Sequence, residues 1–160
     1  MFKGTYAPWE HYPKHLRHEE IIAPFKVLEL FFEIDSLMGH REQLQLWKES
    51  IIQSIPYIAD RSNGRSLLFI WKYNLKLMEA MYLLWQAHQN AQTNGFFASE
   101  WQIAQEKETW VTFPPDLKQE YSADPYQIVQ QFFQILLPAI YRDQLFIWLD
   151  MALADSAKPE

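Results

Sequence analysis

The residues whose types and spacing best suit chemistry lie near the start of the sequence, at His11, His15 and His18, the last followed at once by Glu19. On a helix, His15, His18 and Glu19 stand at i, i+3 and i+4 and share one face, a spacing that can hold a divalent metal. Pro13 keeps His11 out of such a helix, and surface histidines beside Lys14 and Arg17 are the plainer reading. A second constellation is the run Arg61-Ser-Asn-Gly-Arg-Ser66, with Arg61, Arg65 and Ser66 as candidate residues. Free N–H groups, two guanidiniums and a helix dipole would converge there on an anion. A capped helix start with Arg61 near Asp60 explains the same residues without a ligand.

Other arrangements carry less. Glu29 and Glu33 fall one turn apart and suit a solvated edge. The E-x-x-H pairs of di-iron bundles and the H-E-x-x-H zinc motif are missing. The four glycines, at 4, 39, 64 and 95, are too scattered for a P-loop, a nucleophile elbow or a dinucleotide fingerprint. With no cysteine, thiolate nucleophiles, disulfides and Cys-based metal sites are excluded. Glu79 follows Lys76 by three residues and can pair with it; His88 lies on an apolar stripe and reads as a hydrogen-bonded core histidine. No catalytic residue and no cofactor is therefore expected.

The elements that would position these residues announce themselves through a repeat. Residues 24–52 recur, ungapped, as 125–153, with eight identities in 29 positions: Pro24/Pro125, Phe31/Phe132, Phe32/Phe133, Ile34/Ile135, Arg41/Arg142, Gln43/Gln144, Leu44/Leu145 and Trp47/Trp148. Chance gives roughly two. The repeat predicts two homologous helical hairpins, with Phe31/Phe132 and Trp47/Trp148 in equivalent buried places. Arg41 and Arg142 read as structural, tying helix ends to carbonyls or a carboxylate or stacking on a ring.

Between the hairpins, apolar residues at helical spacing from Leu68 to Trp85, with a parallel stripe from Leu67 to His88, predict a central helix over about 65–93. Pro13 suits a short helix over His15 to Ile22. The dense apolar run from Pro24 to Ile34 predicts a helix buried on most of its circumference, and Gly39 a break before the next. Asp124-Pro125 reads as an N-cap with proline at the first helical position. Residues 1–12 form an arm whose Trp9 and Tyr12 can pack on the body, and 155–160 a frayed tail. The class expected is all-α, a single-domain helical bundle over 1–160.

The pattern Pro24-Phe25-x-Val27, Phe31-Phe32, Arg41-x-x-Leu44-x-x-Trp47, then Arg65-Ser66-x-Leu68 and Leu77-Met78-Glu79-Ala80, resembles a family of small uncharacterised bacterial all-helical proteins. The resemblance spans roughly residues 17 to 85 and implies a helical fold with no assigned activity, ligand or site residue.

Composition narrows the function classes. Residues 1–80 hold ten basic and ten acidic side chains, and 81–160 hold four and ten, so the net charge of -6 lies wholly in the second half. Such a surface repels a phosphate backbone, which argues against nucleic-acid binding. The stretch Ala80–Ser99 has no charged residue, yet Gln, Asn and His interrupt it, so no membrane span is expected, and the N-terminus lacks the apolar core of a signal peptide. The expectation is a cytoplasmic, non-enzymatic helical interaction module with a protein partner or a second copy of itself. The alternative is a small-ligand or metal-binding protein, enzymes included, with a pocket between the two hairpins and the central helix.

Overall fold

The computed structural model describes residues 6–54, 67–90 and 124–156, together with positions 101, 104, 105 and 108. Among these residues every regular element is helical and none is a strand, so the chain is all-α. A 3-10 turn over Pro8–His11 precedes α1 (His18–Ile22), α2 (Phe25–Ile34), α3 (Leu37–Gln53), α4 (Leu67–Asn90), α5 (Pro125–Ile135) and α6 (Pro138–Ser156).

Local chemistry sets the helix ends. Ser36 caps α3 by accepting the Gly39 N–H at 3.1 Å, so the break falls at Asp35–Ser36 and not at Gly39, as its glycine suggested. Gly39 instead sits in the first turn of α3, where a Cβ would collide with the Asp35 carboxylate. Asp124 caps α5 through the Tyr126 N–H at 3.1 Å, with Pro125 at the first turn. The helix expected over His15 to Ile22 begins only at His18, because the residues before it are drawn into backbone contacts described below.

The central helix, α4, touches the other five α-helices of the described residues. Its Leu75, Met78 and Tyr82 join Trp47 of α3, Val129 and Phe133 of α5, and Leu145, Leu149 and Ala152 of α6 in the main core. Ala80 packs with Leu16 and Val27 in a second, smaller cluster. Burial of these side chains is the main source of stability, at about 1.5–3 kcal/mol for each large one. The outer parts of the expected helix, 65–66 and 91–93, lie outside the described residues.

The two-hairpin picture changes in two respects. The principal contacts run from α2, α5 and α6 to α4 and from α3 to α6, not between the two helices of either repeat pair. The two helices of each pair, joined by Asp35–Ser36 or Leu136–Leu137, thus pack mainly on other helices, above all α4, and little on each other. The buried faces also fail to follow the identities. Phe31 is 4% exposed and Phe132 38%, while Trp47 is 1% and Trp148 39%. The inward positions match instead at one residue further on: Val27 with Val129, Phe31 with Phe133, Trp47 with Leu149 and Ser50 with Ala152. One residue is about 100° of helical rotation. The second pair has therefore turned about its axes relative to the first. A further correction concerns α2, which buries only Val27 and Phe31 and leaves Phe25, Leu30 and Phe32 exposed.

Candidate functional site

Glu79 projects from the middle of α4 with its side chain fully buried, a placement that costs several kcal/mol unless the charge is matched. The match comes from two directions. The backbone N–H groups of Lys14 and His15 donate to the carboxylate at 3.0 and 2.8 Å, and His15 Nδ1 lies 3.1 Å from Oε1. From α6, the buried Arg142 guanidinium donates to the same Oε1 at 2.9 Å. Arg142 also donates to the backbone carbonyls of Tyr12, at 3.2 Å, and Glu10. The Ala139 N–H, in the first turn of α6, meets His11 Nδ1 at 3.4 Å.

These bonds fasten the N-terminal arm by its main chain. Trp9 and Tyr12, expected to pack on the body, are exposed, and polar contacts do the holding instead. Burial alone would push the Glu79 carboxyl up; the His15 ring and the two backbone N–H groups outweigh it, and the net displacement is downward. His11 is pushed down, by burial first and then by the Arg142 charge. Glu20 is likewise held low: burial opposes ionisation, but the Arg17 backbone and the Lys76 ammonium prevail.

The pairing of Lys76 with Glu79 gives way to a different partner. Lys76 bonds Glu20 of α1 at 2.7 and 2.9 Å, since the two side chains on α4 point to different neighbours. The His15, His18 and Glu19 set separates for a related reason. His15 precedes the helix and turns to Glu79, while Glu19 pairs with Arg17 at 2.9 Å. Among the described residues no three His, Asp or Glu side chains are placed to share a metal ion. Arg61, Arg65 and Ser66 lie outside the described residues. Of the duplicated arginines, Arg142 is buried in the network above and Arg41 is exposed on α3. At the position one residue earlier in the first pair, His40 plays the tying role, stacking on Phe31 at 3.8 Å with Nε2 2.6 Å from the Phe31 carbonyl. His88, expected to be a hydrogen-bonded core histidine, stacks on Tyr126 with ring centroids 3.9 Å apart.

Two concavities lie on either side of this framework. A polar one of about 420 Å³ opens beside His15 and is walled by Arg17, Phe69, Lys72, Tyr73 and Lys76. The other is an apolar groove along α4, formed by adjoining hollows of about 250 and 440 Å³ that share Met81 and Val129. Phe25 and Leu28 of α2 form one wall and Ile128 and Phe132 of α5 the other. Asn74 lies in its floor with its amide already donating to the Ile70 carbonyl at 2.8 Å.

No protein-family model, curated protein or solved structure matches the chain. The Glu79 network was the principal feature missed by sequence reasoning. Its signal was a lone carboxylate set between Met78 and Ala80, one turn after Leu75, with Lys76 the one other charged residue from Leu75 to Tyr82.

Proposed function

We propose that the protein is a non-enzymatic helical interaction module, with the apolar groove between α2, α4 and α5 as its binding surface. The occupant in this reading is an exposed apolar helix face of a second copy of the chain. The supporting observation is the lining: it is apolar, and its one amide is committed to its own helix. With only the phenols of Tyr126 and Tyr141 as further polar groups, such a groove suits packed hydrocarbon more than a small polar ligand. The chain carries the complementary surface on the outer side of α6, where Phe146, Ile147 and Met151 are exposed at helical spacing. Membership of the small all-helical family that the Pro24 to Ala80 pattern resembles belongs to the same reading, as does a cytoplasmic setting. Among the described residues no helix is long and apolar enough to cross a membrane.

Light scattering on the purified protein across micromolar to submillimolar concentrations tests this. The expected result is concentration-dependent association that Phe25→Glu and Ile128→Glu, both at the exposed rim of the groove, abolish without loss of helicity. A wild-type chain that stays monomeric throughout, or rim variants that associate as well as the wild type, would overturn it.

A further inference from the structure

The polar pocket beside His15 has no part in that interaction surface, and its chemistry is of another kind. His15 is gripped through its Nδ1 by the buried Glu79 carboxylate, and its backbone N–H donates to the same group, so the ring cannot swing freely. Trp71 meets the imidazole edge to face at 5.6 Å and fixes the ring plane. Since an ionised carboxylate only accepts, Nδ1 carries the hydrogen, and Nε2 is the nitrogen left for a ligand. Nε2 makes no hydrogen bond among the described residues.

Around this fixed ring, Arg17, Lys72 and Lys76 bring three positive charges to the pocket. Glu19 and Glu20 offset two of them, through Arg17 and Lys76. Lys72 forms no ion pair among the described residues. Glu79 and Arg142 neutralise each other behind the ring. The result is a surplus of positive charge in a chain whose net charge is -6. Phe69 and Tyr73, in ring contact at 4.2 Å, close one side with an aromatic wall. We propose that this pocket binds a phosphate group, as inorganic phosphate or a small phosphomonoester, with Lys72 and the His15 Nε2 as its principal contacts. Nε2 and a phosphate oxygen share one hydrogen bond, and the ammonium of Lys72 supplies the unpaired charge.

The test is a titration of the purified chain with inorganic phosphate and, separately, phenyl phosphate at low ionic strength, followed by NMR of the His15 ring C–H. That resonance is assigned by its loss in His15→Gln. Saturable movement is expected, tighter for phenyl phosphate if the aromatic wall takes part. Lys72→Ala, an exposed site that leaves the fold intact, should weaken binding about tenfold. Three results would each overturn the proposal: no saturable movement in the wild type, unchanged affinity in Lys72→Ala, or equal affinity for chloride, which is mere screening.

Discussion

The ring of Trp47 meets that of Trp148 edge to face, 6.1 Å between centroids, and the Trp47 indole N–H donates to the Trp148 carbonyl at 3.3 Å. The two tryptophans that the sequence repeat equates are thus each other's neighbours across the α3–α6 contact, in unequal surroundings. Trp47→Ala should cost about 3–5 kcal/mol, and Trp148→Ala about half as much, since its ring is already partly in water. Urea denaturation of the single and double variants measures both losses. A coupling of about 0.5–1.5 kcal/mol between the two is expected from the ring contact.

The turned register makes a sharper prediction on the phenylalanine pairs. Phe31→Ala and Phe133→Ala, both buried, should each lose about 3–5 kcal/mol. Phe32→Ala and Phe132→Ala, half exposed, should lose about 1 kcal/mol. Losses that instead grouped Phe31 with Phe132 would restore the register of the identities.

Removing Arg142 leaves the Glu79 carboxylate buried with fewer donors. Arg142→Ala should destabilise by about 3–5 kcal/mol. Its sequence counterpart is exposed, so Arg41→Ala should change stability by about 0.5 kcal/mol or less. Thermal melts of the two variants check the contrast, and similar losses would contradict the asymmetry.

Acid should loosen the arm. Glu79 and Glu20 both ionise below their ordinary value of 4.5 in the fold, so their contribution is complete above about pH 4.5. It is lost as pH falls through the folded values. His11, displaced downward from 6.5, acts in the same sense: the fold favours its neutral form, and stability drains as pH drops below 6.5. Urea midpoints from neutral pH down into the acid range should therefore fall. Glu79→Gln should start less stable and decline less steeply below about pH 4.5. Parallel profiles for the two proteins would show that Glu79 does not carry the acid response.

Much of the architecture was legible because it rests on local chemistry. Asp124-Pro125 marks a helix start wherever it occurs at the head of an apolar run, and the stripes from Leu67 to Trp85 identify a helix with neighbours on several sides. The facing of α2 and α5 was not legible. Both are rich enough in apolar residues that several rotations would bury something, and contacts with α4 decide which one wins. The site was misjudged for a similar reason. Helical spacing made Lys76 the natural partner of Glu79 and grouped His15 with His18, but tertiary contacts gave Glu79 to His15 and Arg142, and Lys76 to Glu20.

The fastening of the arm also sets an order in time. Lys14 is made 65 residues before Glu79, and Tyr12 is made 130 residues before Arg142. At the usual pace of synthesis, roughly 5–20 residues per second, about 7–26 s separate the making of the arm from the making of its second anchor. Closing so long a loop also carries an entropic cost that local helices escape. The arm is therefore fixed late, and for that interval the nascent chain presents Trp9, Tyr12 and an untethered histidine run to whatever surrounds it.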